Sequence, residues 1–217
     1  MSPRGSLFDI GPPPPCPARF NTARWVLRHA ADRAGETALR VLDAEGAPRE
    51  TWTFSDLDRA IRATAAGLRA AGLRPGERVA LRLGNVSDFP LLFFGTIAAG
   101  GIAVPTSAQL TEGEFARLAA DMAPRFVAVA DELALSAPPP GADLLPPAAW
   151  AELRAHPPGE IADTAADDPA FLIYTSGTGG RAKGVLHAQR AAWARQMMWE
   201  GWYGLTGADT VLHAGAF

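Results

Sequence analysis

The sequence has one cysteine, one lysine and no excess of positive charge, and the scarcity of cysteine and that of positive charge each exclude a class of protein. A single thiol, Cys16, cannot form an internal disulfide, so this is not a disulfide scaffold, and we expect a reducing, cytoplasmic location. The formal net charge is -3 and the sequence pI is about 5.8. Without a basic surface, nucleic-acid binding is not expected. The 217 residues are 48% hydrophobic and 20% charged, as in ordinary globular proteins.

The amino-terminal residues also lack the features of a targeting segment. No basic stretch leads into an apolar run, and the prolines at residues 12–15 would interrupt a signal-peptide helix. Residues 89–105 are apolar except for Thr96, but Gly95, Gly100 and Gly101 interrupt them. This stretch is slightly shorter than the roughly 20 residues that cross a bilayer as a helix. We therefore expect a buried helix followed by a buried strand, and no integral membrane span.

The pattern along the chain predicts an irregular, proline-rich tail over residues 1–20 and one folded unit over residues 21–217. The predicted helices span residues 22–34, 55–71, 87–99, 111–122, 148–155 and 187–202, and the predicted strands span residues 41–42, 51–54, 78–83, 102–104, 126–130, 171–174 and 210–213. Residues 137–147 are expected to form a loop. Strands that alternate with helices predict an α/β fold with layered helices and mixed or parallel sheets.

Three of these helices begin at side chains suited to capping. Asn21 or Thr22 is expected to cap the first and Ser55 the second, because short polar side chains accept hydrogen bonds from the free N–H groups of a first turn. Thr111 is followed by Glu114, the spacing of a capping box.

The glycine-dense segment of residues 171–185, FLIYTSGTGGRAKGV, has the composition of a polyanion-binding loop. Glycines let backbone N–H groups point inward, hydroxyls add donors, and the ammonium group of the sole lysine adds a positive charge. A following helix would add its positive N-terminal end. The groups expected to contact phosphate are Thr175, Ser176, Gly177, Thr178, Gly179, Gly180 and Lys183. The alternative is a flexible glycine connection between two elements.

Two other phosphate-binding loops do not fit this segment. A Walker A loop requires glycine, lysine and then serine or threonine, whereas Ala182 precedes Lys183 and Gly184 follows it. The G-x-G-x-x-G pattern counted from Gly177 ends on Ala182.

The segment does resemble the signature loop of the adenylate-forming, AMP-binding superfamily of acyl- and aryl-CoA synthetases, through residues 174–178 together with Gly180, Lys183, Gly184 and Val185. Residues 53–57 and 99–105 resemble two further motifs of this superfamily, in the same order. The resemblance begins near residue 20 and implies the first part of the superfamily's large N-terminal domain, without the remainder of that domain or the small C-terminal domain.

The resemblance implies a ligase that uses ATP, Mg²⁺ and CoA. A carboxylic acid would react with ATP to form an acyl-adenylate and pyrophosphate, and a thiol would then displace AMP. His213 and Phe217 resemble the start of a motif that lines the acyl pocket, although a strand-end histidine and a core phenylalanine are equal alternatives. We expect the 217 residues alone to be inactive, and exposed sheet edges to favour self-association.

Two positions depart from the superfamily pattern. Gly179 replaces a usual threonine, which removes a hydroxyl donor, and Ala182 replaces a usual proline, which loosens the loop. These departures leave open a non-catalytic binding module of the same fold. Within the enzymes, an acyl-AMP ligase that loads a carrier protein is the nearest alternative.

Two expectations concern the last predicted helix. His187 is expected to lie at its N-terminus. The large apolar residues of this helix are expected to pack in the core: Trp193, Met197, Met198, Trp199, Trp202 and Tyr203.

Overall fold

A computed structural model describes residues 12, 14–175 and 182–213. The strands are β1 (Thr37–Leu42), β2 (Pro48–Thr53), β3 (Arg78–Arg82), β4 (Ile102–Pro105), β5 (Phe126–Val129), β6 (Asp143–Leu145), β7 (Pro169–Thr175) and β8 (Lys183–Ala188). The α-helices are α1 (Thr22–Val26), α2 (Phe54–Ala70), α3 (Asp88–Ala98), α4 (Glu112–Met122), α5 (Pro147–Arg154) and α6 (Ala191–Gly201). A short 3₁₀ helix covers Asp131–Leu133.

Six strands form one sheet in the order β6-β5-β3-β4-β7-β8, in which only the β7–β8 pair is antiparallel. Strands β1 and β2 form a separate antiparallel hairpin. Alternate residues of the central strands enter two cores. Val79 and Leu81 of β3 pack in the core shared by α1, α2, α3 and α5, and Ala80 packs in the core formed with α4. Helices therefore cover both faces of the sheet, and the predicted α/β class is confirmed.

The apolar stretch of residues 89–105 forms α3 and β4, as the sequence predicts. Most of its side chains are buried inside the protein, with Ile97 and Val104 fully inaccessible. Among the described residues, no helix combines the length and the hydrophobicity needed to cross a bilayer. The predicted capping box is also present, since Thr111 Oγ1 accepts from Glu114 N and the Glu114 carboxylate accepts from Thr111 N.

The first helix is shorter than predicted. Asn21 caps it through bonds from Ala23 N and Arg24 N, but α1 ends at Val26 and turns follow, so the expected continuation to residue 34 is wrong. The next helical bond would run from the N–H of Arg28 to the carbonyl of Arg24. The Arg28 N–H instead bonds weakly, at 3.4 Å, to the carbonyl of Trp25, which also accepts from the Arg28 side chain at 2.7 Å.

Two predictions about loops and strands are also wrong. The region 137–147 is not all loop, because β6 pairs in parallel with β5 and buries Leu145. Residues 210–213 form no strand. Val211 and Leu212 are 66% and 76% exposed there, so the described residues do not bury these two side chains as a sheet would.

The cap of α2 also differs from the prediction. Thr53, and not Ser55, is the N-cap, because Thr53 Oγ1 accepts from Asp56 N at 3.1 Å and donates to Asp56 Oδ2 at 2.7 Å. Ser55 lies exposed within the first turn.

We expect Thr53→Ala to lower the free energy of unfolding by about 1 kcal/mol, the usual cost of losing an N-cap side chain. Ser55→Ala is the matched control and should change it by less than about 0.5 kcal/mol, as exposed substitutions usually do. Urea unfolding followed by circular dichroism measures both. An equal loss in the two variants would contradict the cap at Thr53.

Candidate functional site

The ends of the predicted phosphate loop lie at the carboxyl end of β7. Thr175 is the last residue of β7 and Lys183 the first residue of β8, and the two pair directly across the antiparallel ladder. Because β7 runs parallel to β4, this turn leaves the sheet at the edge where the parallel strands end. Ligands of open α/β sheets bind outside that edge.

Both end residues are available to a ligand. Thr175 and Lys183 are exposed, and Lys183 forms no ion pair with any residue in the described part of the chain. Within the described part of the chain, the Thr175 hydroxyl makes one long contact, 3.5 Å, to the Lys183 carbonyl oxygen. Residues 176–181 lie outside the described residues, so the contacts expected of Ser176, Gly177, Thr178, Gly179 and Gly180 remain predictions.

The element after the loop is a strand, and this corrects a prediction about the electrostatics. Residues 183–188 form β8, and α6 begins only at Ala191. No helix N-terminus follows the loop directly, so the expected contribution of a helix dipole is absent from this position. An anion at the turn would depend on the loop's own N–H groups and hydroxyls and on the Lys183 ammonium group.

Tyr174 connects this hairpin to helix α4. Its hydroxyl donates to Asp121 Oδ2 at 2.5 Å. Burial, reinforced by the hydrogen bond to Asp121, raises the pKa of Tyr174, so the phenol remains a donor at neutral pH. Tyr174 also pairs with Gly184 across the ladder. The sequence contains no local signal for the contact to Asp121, because 53 positions separate the two residues.

Gly184 leaves space for two neighbouring side chains. A Cβ at this position would lie 3.1 Å from Leu172 Cδ1, 3.4 Å from Tyr174 Cε1 and 3.5 Å from Tyr174 Cζ. The Tyr174 ring therefore packs beside Gly184 on β8, next to Lys183, and Leu172 is the neighbour that a Cβ at position 184 would crowd.

His187 lies on β8, so its predicted place at a helix N-terminus is wrong. Its ring stacks on Phe171, with centroids 4.5 Å apart and planes 12° apart, and Phe171 in turn contacts Phe93. His187 therefore packs against aromatic side chains at the edge of the sheet.

The prediction that the large apolar residues of the last helix lie in the core is wrong. Trp193 and Met197 are only half-buried, and Met198 and Trp199 are exposed. Trp193 contacts the rings of Phe20 and Trp25 and donates its indole N–H to the Pro14 carbonyl. By contrast, Trp202 and Tyr203 are 79% and 58% exposed. A helix rich in large apolar residues favours burial, but composition alone cannot specify which of those residues the neighbouring elements cover.

The acyl-pocket role expected of His213 and Phe217 stays a prediction. His213 is exposed in an irregular segment beyond α6, and Phe217 lies outside the described residues. Two cavities, of about 320 and 380 Å³, also lie away from Thr175 and Lys183. The first lies between α2 and residues 24–34, and the second lies beside the first residues of β3. The described part of the chain has no group of three or more His, Cys, Asp and Glu side chains suited to a metal.

A family model and the sequences of known ligases match this chain. The family model of AMP-binding enzymes matches residues 26–217. A relative from Mycobacterium tuberculosis, the long-chain-fatty-acid–CoA ligase FadD13, is 30% identical over 186 residues, which cover 81% of this chain and 36% of that protein. The fatty acid–[acyl-carrier-protein] ligase ScoC of Streptomyces coeruleorubidus is 34% identical over 153 residues, or 66% of this chain and 29% of that protein.

A solved structure shares the fold. The benzoate CoA ligase from Burkholderia xenovorans LB400 is 26% identical with a TM-score of 0.73, and the match covers 86% of this chain and 38% of that one. The chain thus spans about a third of the length of the proteins that it matches.

Proposed function

Since the chain belongs to the family of AMP-binding enzymes, we propose that the turn between β7 and β8 holds the ATP phosphates of an adenylate-forming ligase. The pairing of Thr175 with the sole lysine at the carboxyl edge of the sheet is the observation that carries this proposal. A hydroxyl and an ammonium group flank the loop there, and no described carboxylate neutralises the ammonium.

In the proposed reaction, a carboxylate oxygen attacks the α-phosphorus of ATP. The bond from that phosphorus to the bridging oxygen breaks, and pyrophosphate leaves with the electron pair. A thiol then attacks the acyl carbon, AMP leaves, and the thiol proton passes to solvent. The contribution of this chain is to hold the β- and γ-phosphates, which orients the leaving group in line and stabilises the charge that develops on it.

Within this proposal, Lys183 supplies the point charge and Thr175 the first hydroxyl. Ser176, Thr178 and the N–H groups of Gly177, Gly179 and Gly180 complete the set of donors. We assign no residue here to activation of the carboxylate. Mg²⁺ commonly binds through substrate phosphates with one or two carboxylates, so the loop would position the metal through the phosphates that it holds.

The acceptor thiol distinguishes two versions of the function. The name of FadD13 specifies a CoA ligase, and the name of ScoC specifies transfer to an acyl-carrier protein. We favour CoA as the acceptor, because the names of FadD13 and of the benzoate ligase both specify CoA. The same two names specify a fatty acid and an aromatic acid, so we favour a carboxylic acid of one of these classes as the substrate. Transfer to a carrier protein is the second candidate. Thioester formation with CoA, compared with loading of a carrier protein, separates the two.

The phosphate-binding role can be tested on the chain itself with magnesium tripolyphosphate as the probe. We expect Lys183→Ala to weaken binding about 10- to 100-fold, because charge-assisted hydrogen bonds contribute roughly 1.5–3 kcal/mol. Isothermal titration calorimetry measures the affinity, and Lys183→Arg should retain most of it.

Arg49→Ala provides a control for net charge, since Arg49 is exposed on the separate β1–β2 hairpin. It should bind like the wild type. If the wild type does not bind tripolyphosphate, or if the Lys183 and Arg49 variants behave alike, the phosphate-binding role is wrong. Binding without adenylate formation by any longer protein that contains this chain would instead favour a non-catalytic module.

A further inference from the structure

The ladder between β7 and β8 contains a residue pair, Tyr174 and Gly184, directly next to the two ends of the loop. Thr175 pairs with Lys183, and Tyr174 pairs with Gly184 one step further from the turn. Tyr174 is thus covalently adjacent to the first expected phosphate contact, and Gly184 to the last. Any constraint on this second pair is transmitted directly to both ends of the loop.

Two contacts constrain the pair. The Tyr174 ring packs against Gly184, where a Cβ would approach it within 3.4 Å. The Tyr174 hydroxyl is bonded to Asp121 near the end of α4, at 2.5 Å. Helix α4 is itself fixed to the sheet through Phe115, Ala119 and Met122, which are all buried. The hairpin edge is therefore connected to a packed helix, although no strand among the described residues lies on the outer side of β8.

We propose that Tyr174 is a positioning residue for phosphate binding: tied to Asp121 and packed on Gly184, it fixes Thr175 and Lys183 at the separation that the anion requires. This inference rests on the proposed function. Its physical basis is preorganisation, because donors that are already held in place lose less conformational entropy when the anion binds. A hydrogen bond to a carboxylate is stronger than one between neutral groups, which suits a fixed anchor.

The test compares variants in their affinity for magnesium tripolyphosphate. Tyr174→Phe keeps the ring and removes the hydroxyl, and Asp121→Ala removes the acceptor. Each should weaken binding about 3- to 10-fold, and the double variant should bind no more weakly than either single one, because both changes break the same bond. Asp121→Glu, which restores a carboxylate, should recover part of the affinity.

Thr64→Val is the control for a loss of stability alone. It removes a buried hydroxyl that donates to the Ala60 carbonyl within α2, on the other face of the sheet. This variant should unfold more easily but bind like the wild type.

The outcomes separate this inference from the proposed function. Normal binding by Tyr174→Phe, combined with loss of binding by Lys183→Ala, overturns the positioning role and leaves the phosphate site intact. An equal loss in Thr64→Val also overturns it, since general destabilisation would then explain the effect. If the wild type does not bind tripolyphosphate, both proposals fail.

Discussion

Replacing Gly67 with alanine is expected to destabilise the protein by about 2 kcal/mol, although alanine is the better helix former. A Cβ at Gly67 would lie 2.6 Å from the carbonyl oxygen of Leu153 and 2.7 Å from its Cα. These are backbone atoms, so no side-chain rotation relieves the contact, and α2 and α5 must separate. Overpacking of this kind costs up to about 3 kcal/mol, and alanine recovers roughly 1 kcal/mol of helix propensity.

Gly113 offers a matched control within a helix. It lies in the first turn of α4, and a Cβ there would meet no atom within 4 Å. Gly113→Ala should therefore stabilise the protein by about 0.5–1 kcal/mol. Urea unfolding of both variants measures the contrast. A Gly67→Ala variant as stable as Gly113→Ala would show that α2 and α5 do not approach as closely as the structure has them.

Much of the fold is predictable because its signals are local. The alternation from β3 through α3 and β4 to α4 and β5 follows from apolar runs, and helix stops such as Gly72 separate the elements. Thr111 and Glu114 are three positions apart and specify their cap without help from the rest of the chain. These elements agree with the structure to within one or two residues.

The errors arise where tertiary contacts determine the structure. Residues 183–188 form a strand only because β7 lies beside them, whereas the sequence alone extends the following helix back to residue 187. Strand β6 has three residues, too few for a hydrophobic period, and depends on its pairing with β5. Thr53 and Ser55 are both good caps by composition, and the hydrogen bond to Asp56 N decides between them.

The residues of the candidate site also differ in whether the sequence alone identifies them. Lys183 and Thr175 can be identified from the loop composition, because their chemistry is explicit in the residue types. The hydrogen bond from Tyr174 to Asp121 cannot be identified in this way, since it depends on how α4 packs beside β7. Sequence therefore predicts the groups proposed to contact the phosphates, and the fold adds the hydrogen bond between Tyr174 and Asp121 beside them.

Replacing Arg154 with methionine is expected to cost about 2 kcal/mol at pH 7 and distinctly less at pH 4. Arg154 ends α5 and pairs with Asp88 at the start of α3, and both side chains are only about a quarter exposed, at 26% and 24%. Removing one partner of a fully buried pair costs roughly 3–5 kcal/mol, and partial exposure lowers that figure. Methionine keeps most of the packing and leaves the Asp88 carboxylate without its cation.

The dependence on pH follows from the direction of the Asp88 shift. Burial raises the pKa of Asp88 even with Arg154 in place, and the nearby Glu50 raises it further. The folded protein therefore binds this proton more tightly than the unfolded chain, and the stability that the group provides is lost as pH rises through its folded pKa. Without Arg154 the pKa rises again, so the cost of ionised Asp88 is larger at pH 7, whereas protonation at pH 4 removes much of it.

Asp88→Asn provides the control for this expectation. In that background Arg154→Met should cost nearly the same at pH 4 and pH 7, because no carboxylate remains at position 88 to titrate. Thermal or urea unfolding is measured at both pH values for the wild type, the two single variants and the double variant. The cost of Arg154→Met is the difference in free energy of unfolding within each background, so the contributions of the other titrating groups cancel. Equal costs at the two pH values in the wild-type background would mean that Arg154 acts through packing, and that the charge of Asp88 is already compensated by solvent.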